Sequence, residues 1–253
     1  MFTNAIVRTP CRNMISGITT ADLGAPDYDL ALAQHEAYIS ALEQCGVSVT
    51  ILDKEEDYPD STFVEDTALI TPKCAVLTNP GAETRKGEVA TIQQALSSFY
   101  SDFEKIRAPG TLDAGDVMMT GDHYFIGLSE RTNVAGANQL IAILEKHGLS
   151  GSTVEMNGIL HLKTGLSYLE NNNLVIASGF KNEPQFAGFN PIEIDDDESY
   201  AANGIWVNER VIVAAGFPKA KAAIEKSGFE TIALDMSEFQ KLDGGLSCLS
   251  LRF

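Results

Sequence analysis

The chain has 253 residues, of which 44% are hydrophobic and 21% are charged, so it is long enough to bury a large core and unlike a disordered segment. Its 18 basic and 35 acidic residues give a formal charge of −17, which repels phosphate backbones and anionic lipids and argues against nucleic acid or a membrane as a partner. Because the N-terminus does not resemble a signal peptide and no long apolar run occurs, we expect a cytoplasmic protein.

Strand and helix patterns alternate along the chain. Short runs rich in β-branched residues and bounded by Gly, Pro or Asn predict strands. In the first half these strands are Ala5–Arg8, Val47–Leu52, Ala68–Thr71, Cys74–Thr78 and Lys105–Ala108. Apolar residues at helical spacing predict four helices, three of them followed directly by glycine. They are Leu30–Cys45, Glu88–Tyr100, Thr132–His147 and Lys219–Ser227.

Pairs of strands joined by short polar turns follow from residue 117 onward. They are Val117–Thr120 with Tyr124–Leu128, Ser167–Glu170 with Leu174–Ala177, and Ile205–Val207 with Val211–Ala214. The recurring order is strand, strand, helix, strand, and the first strands begin near positions 67, 116, 166, 204 and 246. This spacing of about 40 to 50 residues is typical of repeats or propeller blades. The third unit's helix, expected within Asn182–Gly188, is weakly indicated because its Pro and Gly residues disfavour a helix.

Five such units predict a closed ring in one domain, residues 1–253, with an α/β fold built from ββαβ repeats. The N-terminal strand and helix are expected to complete the blade that the strand at Cys248 begins. Loop ends near the axis of such a ring converge, which brings residues 65, 113, 161 and 248 together. Residues 14–27, rich in Gly, Thr and Ser, are typical of an Ω-loop that covers a site.

Cys248 is the first candidate for chemistry. It follows Asp243-Gly244-Gly245-Leu246-Ser247, and the two glycines permit backbone turns that a side chain forbids, so the thiol can face a cavity as a nucleophile. The alternative is a core cysteine that begins a buried strand, since free cysteine is often buried. The other cysteines, at positions 11, 45 and 74, form no Cys-x-x-Cys pair, which argues against a zinc or dithiol motif.

His161 is the second candidate. Three of the four histidines have structural explanations, because His35 lies within a helix, His123 in a hairpin turn and His147 in a last helical turn. His161 instead lies in a linker, after residues 157–160, that leads into a strand. It is either a polar loop residue or an acid/base catalyst.

Carboxylates recur at the corresponding positions of other units. Glu65 and Asp66 follow Phe63-Val64, Asp113 precedes Ala114-Gly115-Asp116, and Asp60 follows Tyr58-Pro59. A carboxylate between apolar residues and a strand is costly to bury without a partner, and a cationic ligand supplies one. The alternative is that Glu65 and Asp66 cap a turn or pair with a structural arginine.

Six segments, in order along nearly the whole chain, resemble the dimethylarginine dimethylaminohydrolase family of the guanidine-modifying (pentein) superfamily. They are Pro59-Asp60-Ser61-Thr62-Phe63-Val64-Glu65-Asp66, Arg85 after Pro80-Gly81-Ala82, Thr111-Leu112-Asp113-Ala114-Gly115-Asp116-Val117, Ser129-Glu130-Arg131-Thr132-Asn133, His161-Leu162-Lys163 and Asp243-Gly244-Gly245-Leu246-Ser247-Cys248. The resemblance implies a five-bladed α/β propeller with pseudo-fivefold symmetry, which agrees with the repeat count.

The resemblance also implies an activity. It is hydrolysis of asymmetric dimethylarginine, or monomethylarginine, to citrulline and dimethylamine or methylamine through a covalent thiouronium. Cys248 is implied as nucleophile, His161 as general acid/base and Asp113 as the carboxylate that orients His161. Family members carry Glu or Asp at this last position. No metal or organic cofactor is implied.

The implied substrate is a small molecule, and the chain's binding residues follow from the same resemblance. Glu65 and Asp66 are expected to hold the guanidinium through charge-assisted hydrogen bonds. The amino-acid end is assigned to Arg85 and Arg131 for the α-carboxylate, and to Asp60 and the backbone at Ile18 and Leu242. The sequence allows a homodimer without determining the oligomeric state.

Three other functions compete with this interpretation. Arginine deiminases share the cysteine, histidine and carboxylates with this chain, but they are far longer. Their catalytic histidine belongs to a pattern similar to His-x-Asp, and this chain has Lys163 at the position of that Asp. A non-catalytic propeller that binds partners would lack the Cys248, His161 and Asp113 set. A cysteine protease would use similar catalytic residues, but paired acids and paired arginines suit a free amino acid better than a peptide.

Overall fold

Within residues 1–156 and 160–253, which the computed structural model describes, fifteen strands form five three-stranded sheets. In every sheet the first strand of the repeat is antiparallel to the second, and the second is parallel to the third. The predicted linker before His161 includes residues 157–159, which lie outside the described residues. The ββαβ repeat and the five-bladed propeller are confirmed.

Four of the five blades are continuous in sequence. Blade 1 consists of β3 (Ala68–Ile70), β4 (Ala75–Leu77) and β5 (Glu104–Lys105), and blade 2 of β6 (Val117–Thr120), β7 (His123–Leu128) and β8 (Ser150–Glu155). Blade 3 consists of β9 (Leu166–Tyr168), β10 (Asn173–Ala177) and β11 (Asn190–Ile194), and blade 4 of β12 (Ile205–Val207), β13 (Arg210–Ala214) and β14 (Glu230–Leu234).

Blade 5 joins the two ends of the chain. β15 (Leu251–Arg252) pairs antiparallel with β1 (Asn4–Arg8), which pairs in parallel with β2 (Ser48–Leu52). The prediction that the N-terminal strand completes the last blade is therefore confirmed. Cys248, however, does not begin the strand. It lies in a 3-10 turn, Ser247–Leu249, because its backbone N–H turns back to the carbonyl of Gly245 at 3.2 Å.

Helices connect the second and third strands of most blades. They are α1 (Tyr28–Gln44) in blade 5, α2 (Glu88–Leu96) in blade 1, α3 (Val134–Lys146) in blade 2 and α5 (Pro218–Lys226) in blade 4. Blade 3 has two 3-10 turns instead, Ser178–Phe180 and Pro184–Phe186, as its Pro and Gly content indicated. Two short helices, α4 (Leu162–Gly165) and α6 (Ser237–Gln240), precede the first strands of blades 3 and 5.

Local capping explains where two of the helices begin. The Asp27 side chain accepts hydrogen bonds from the backbone of Asp29 and Leu30, both at 3.0 Å, and so starts α1 earlier than its apolar pattern indicates. Asn133 accepts one from Gly136 at 2.8 Å and starts α3. None of the helices in the described ranges combines the length and apolar character that a membrane crossing requires.

The first strands surround the axis of the ring. β6 packs beside β9, β9 beside β12, and β15 beside β3. A cavity of about 140 Å³ lies on the axis and is lined by one or more residues of each first strand, including Ala68, Val117, Leu166, Ile205 and Leu251. The segments that lead into these strands therefore meet at one end of the ring, and they carry the candidate residues.

Candidate active site

Nine of the ten predicted site residues line one small cavity of about 40 Å³. They come from four of the five blades and from the N-terminal loop, which the ring brings to one point. The nine residues are Ile18, Asp60, Asp66, Arg85, Asp113, Arg131, His161, Leu242 and Cys248. Glu65 is the predicted residue that does not line this cavity.

His161 and Asp113 form a hydrogen-bonded pair. His161 Nε2 lies 3.2 Å from Asp113 Oδ2, and the other oxygen of Asp113 accepts the backbone N–H of Gly81 at 2.8 Å. Asp116 fixes the neighbouring backbone, since its Oδ1 accepts the N–H of Leu162 at 3.0 Å. The imidazole is thus held by one carboxylate at its ring and by a second at the adjacent peptide.

The charges around His161 determine its protonation state. Burial lowers the pKa of this imidazole, but the carboxylates of Asp66, Asp113 and Asp116 outweigh burial and raise the pKa to about 9. His161 Nδ1 lies 4.0 Å from Asp66 Oδ1. At neutral pH the imidazole is therefore protonated and available as a general acid.

Cys248 is half-buried and carries a neutral thiol when the cavity holds no cation. Burial, followed by the negative charges of Glu65 and Asp66, raises its pKa to about 12. The backbone N–H of Gly245 points to the sulfur at 3.4 Å and opposes that rise. A cation bound beside Asp66 would cancel part of the negative field, so binding of a guanidinium favours the thiolate.

The two glycines before Cys248 are needed for close packing rather than for unusual backbone angles. A Cβ at Gly244 would lie 2.3 Å from the ring of Phe63, and one at Gly245 would lie 2.5 Å from the side-chain oxygen of Asn203. The residue in the left-handed conformation is instead Asp243, with φ of 56°. The predicted bend is present, but its physical reason differs from the sequence-based expectation.

Glu65 lines the axial cavity rather than the cavity that Cys248 lines. Its Oε1 accepts from Lys163 Nζ at 2.6 Å and its Oε2 accepts from Ser247 Oγ at 2.8 Å. Both oxygens therefore have partners within the protein. The role of Glu65 in holding the guanidinium stays a prediction.

The two arginines differ in their surroundings. Arg85 is buried and binds Glu88 through two nitrogens, at 3.1 and 2.7 Å, and Asp66 at 2.5 Å. Arg131 is half-buried, and its guanidinium has no hydrogen bond or ion pair within residues 1–156 and 160–253. Arg131 is thus the arginine whose charge is available to a ligand, while Arg85 also supports Asp66.

The N-terminal loop covers the cavity and is tied to it by carboxylates. Asp60 Oδ1 accepts the backbone N–H of Ile18 at 3.0 Å, and Asp243 Oδ2 accepts that of Thr20 at 2.6 Å. Burial raises the pKa of Asp60. A third cavity, of about 370 Å³, lies under this loop and reaches Cys248. The position expected for an Ω-loop over the site is therefore observed.

Three residues in the described parts of the chain offer ligand atoms that lie close enough together for a metal ion. Asp66, Asp113 and His161 each present one such atom, all within 4.8 Å of one another. These atoms already have partners, because Asp113 binds His161 and Asp66 binds the Arg85 cation. We assign no metal to this cluster, and the absence of a cofactor stays a prediction.

Sequence reasoning missed several residues that shape the site. Asp116 and Ser247 stood inside recognised motifs, yet their contacts to the His161 segment and to Glu65 depend on the folded ring. Asn203 precedes the first strand of blade 4, the unit for which the sequence offered no candidate. Its position, equivalent to those of the other four units, was the signal available.

Comparison with known proteins gives consistent matches. A family model described as "N,N dimethylarginine dimethylhydrolase, eukaryotic" matches residues 26–180. The N(G),N(G)-dimethylarginine dimethylaminohydrolase of Pseudomonas aeruginosa is 56% identical over 254 residues and covers all of both chains. The protein of that name from Streptomyces coelicolor is 34% identical over 250 residues, covering 98% of this chain and 96% of its own.

Solved structures agree with this similarity. A cysteine-to-serine mutant of the P. aeruginosa enzyme, complexed with citrulline, superposes with a TM-score of 0.99 at 55% identity and full coverage of both chains. The N-terminal domain of ArgZ, an arginine dihydrolase from cyanobacteria, superposes with a TM-score of 0.89 at 17% identity, over 100% of this chain and 97% of that domain. At this low identity, the second match supports the propeller fold alone.

Proposed function

The chain belongs to the dimethylarginine dimethylaminohydrolase family, and on that premise we propose that Cys248, His161 and Asp113 carry out its reaction. The enzyme hydrolyses asymmetric dimethylarginine, and monomethylarginine, to citrulline and dimethylamine or methylamine. The reaction proceeds through a covalent intermediate on a cysteine. The observation that carries the residue assignment is the single cavity that Cys248 and the His161–Asp113 pair share with Asp66 and Arg131.

Substrate binding prepares the nucleophile. The guanidinium is expected to bind beside Asp66. Burial, together with the negative charges of Glu65 and Asp66, raises the pKa of Cys248 to about 12, and a bound cation offsets those charges. The thiol then loses its proton to solvent and the thiolate attacks the guanidinium carbon. This order is required because a guanidinium carbon is a poor electrophile and a neutral thiol is a weak nucleophile.

His161 then serves in both halves of the reaction. Its protonated ring donates a proton to the departing methylated amine, and a thiouronium remains bound to Cys248. The imidazole, now neutral, removes a proton from a water molecule as the oxygen attacks the same carbon. Collapse of this second adduct breaks the carbon–sulfur bond, the proton of its hydroxyl group passes to the departing sulfur, and citrulline leaves with the Cys248 thiol restored. Asp113 holds the imidazole in one orientation throughout.

The remaining residues are proposed to bind the amino-acid end of the substrate. Arg131 and Arg85 would bind the α-carboxylate, with Arg131 making the main contact because Arg85 is already engaged by Glu88. Three further groups are assigned to the amino-acid end, and Glu65 is proposed to hold the guanidinium together with Asp66. The three groups are Asp60 and the backbone at Ile18 and Leu242.

The second candidate, an arginine deiminase activity, requires a further carboxylate for the unsubstituted side of the guanidinium. Lys163 stands where that carboxylate would come from, and its ammonium binds Glu65 at 2.6 Å. The test compares kcat/KM for asymmetric dimethylarginine with that for arginine, measured as citrulline formation. We expect the methylated substrate to be preferred, and faster turnover of arginine would contradict the assignment.

Two broader expectations stay predictions. We propose that the enzyme works in the cytoplasm and that it can form a homodimer. Sedimentation equilibrium distinguishes a monomer of 27.3 kDa from a species of twice that mass. A single species at the monomer mass at all concentrations would contradict the dimer.

A further inference from the structure

Asn203 lies in the segment that leads into blade 4, and this segment meets those of the other blades at the site. It is buried, with 7% of its surface exposed, and it lies two residues before the start of β12. The corresponding segments of the other four blades carry Asp66, Asp113, His161 and Cys248. We propose that Asn203 is a positioning residue that fixes the nucleophile segment against the histidine segment; this inference rests on the proposed roles of Cys248 and His161.

The amide of Asn203 bonds to both segments at once. Its Oδ1 accepts the backbone N–H of Ser247 at 2.9 Å. Its Nδ2 donates to the carbonyl of Lys163 at 2.8 Å and to Ser247 Oγ at 3.1 Å. Lys163 is two residues after His161, and Ser247 is one residue before Cys248. The side chain therefore joins the two catalytic segments across a sequence separation of 84 residues.

These bonds belong to a closed circuit that spans four blades. Lys163 Nζ donates to Glu65, and the other oxygen of Glu65 accepts from Ser247 Oγ. Ser247 Oγ accepts from Asn203, whose amide returns to the Lys163 carbonyl. Removing the asparagine amide opens the circuit at two points and leaves buried groups without partners, which is costly in the interior.

Asn203 acts on Cys248 through the backbone of Gly245 as well. The side-chain oxygen packs so closely on Gly245 that a Cβ there would lie 2.5 Å away. The N–H of this glycine donates to the Cys248 sulfur at 3.4 Å, the contact that favours thiolate. Fixing residues 245–247 therefore fixes both the position and the hydrogen bond of the thiol.

The side-chain amide of Asn203 makes all of its hydrogen bonds within the protein, which favours a positioning role over substrate binding. An asparagine amide has two N–H donors, and both are directed to Lys163 and Ser247. The side chain borders the larger cavity next to Cys248 but holds neither donor free for a ligand. Its substitution is thus expected to change the chemical step more than substrate affinity.

The test compares Asn203→Asp and Asn203→Ala with the matched control Asn208→Asp. Asn208 lies in the β12–β13 turn and makes the same pattern of bonds, accepting from Phe2 N at 2.7 Å and donating to the carbonyls of Phe2 and Cys45 at 2.7 and 3.0 Å. Loss of the hydrogen bonds that Asn203 donates to Lys163 and Ser247 is expected to lower kcat for dimethylarginine about 10- to 100-fold, with KM changed less than about threefold. Asn208→Asp is expected to keep kcat within about twofold.

Alkylation of Cys248 by iodoacetamide gives a readout that does not depend on turnover. Asn203→Asp places a carboxylate beside the nucleophile segment and is expected to slow alkylation at pH 8 about tenfold, one pKa unit, with Asn203→Ala slowed less. A merely structural role would lower stability in the Asn203 and Asn208 variants alike and leave both kcat per folded enzyme and the alkylation of Asn203→Ala unchanged, since this variant adds no charge that could slow alkylation by itself. That result would overturn the proposal. A wild-type enzyme without turnover would instead contradict the proposed function, and the alkylation comparison would still test Asn203.

Discussion

Gly115→Ala is expected to damage catalysis without removing any charged group. Gly115 lies in the turn before β6, and its N–H donates to Asp66 Oδ1 at 3.0 Å. A Cβ at this position would lie 2.7 Å from Asp66 Oδ1 and 2.8 Å from His161 Nδ1. One methyl group therefore presses on His161, the proposed acid/base residue, and on the carboxylate of Asp66 that faces it.

The size of the effect follows from these distances. Ordinary contact with a Cβ begins at 3.4 Å, so the imidazole must move by about 0.6 Å, and misplacement of a catalytic group by about 1 Å costs on the order of 100-fold. We expect kcat to fall about 10- to 100-fold, with a smaller change in KM. The displaced His161 is also expected to lose part of its interaction with Asp66, which lowers its pKa from about 9 towards the ordinary value.

The assay is citrulline formation from dimethylarginine over pH 6 to 10, compared with Gly188→Ala. Gly188 is exposed and nothing lies within 4 Å of a Cβ built there, so this control is expected to behave as wild type. Because the proposed mechanism requires a protonated His161 to release the amine, activity is expected to fall as pH rises through the pKa of His161, and this basic limb should move to lower pH in Gly115→Ala. Full kcat with an unmoved basic limb would refute the assigned position of His161.

Three further predictions concern the thiol, the orienting carboxylate and the arginines. Alkylation of Cys248 in the ligand-free enzyme should rise about tenfold per pH unit between pH 7 and 10, because its pKa is about 12, and a plateau below pH 9 would contradict the neutral thiol. Asp113→Asn should lower kcat at least about 100-fold with an unchanged melting temperature, and near-normal kcat would remove Asp113 from the catalytic set. Arg131→Ala should raise KM at least about tenfold and leave the free energy of unfolding in urea almost unchanged. Arg85→Ala should lower that free energy by about 3 to 5 kcal/mol, because it breaks a buried ion pair. Equal losses of stability in the two variants would show that the two arginines do not differ as described.

The sequence predicted the blades well because short strands, polar turns and glycine-terminated helices each leave a local pattern. It failed where long-range packing determines an element's end. The apolar pattern of α2 continues to Tyr100, but the helix stops at Leu96, because Phe99 and Tyr100 pack on Phe253 from the other end of the chain, with ring centroids 4.9 and 5.6 Å apart. No local pattern in the sequence indicates this contact.

The candidate site, like the fold, was predictable from the sequence only in part. Family motifs identified the residues that converge on the cavity, including Cys248 and His161, because their types and spacing are characteristic. The surroundings of Glu65 could not be read from the sequence, since its partners Lys163 and Ser247 lie 98 and 182 residues away. Asn203 was missed for a similar reason, because an asparagine before a strand is ordinary until its bonds are known.

The central claim is that Cys248 forms the covalent bond to the substrate. Its most direct test is citrulline release from asymmetric dimethylarginine by the wild-type enzyme and by Cys248→Ser, with both proteins shown to be folded. We expect turnover by the wild type and a loss of at least about 100-fold in the variant, since removal of a nucleophile typically costs several orders of magnitude. Equal citrulline release by the two proteins would contradict the mechanism.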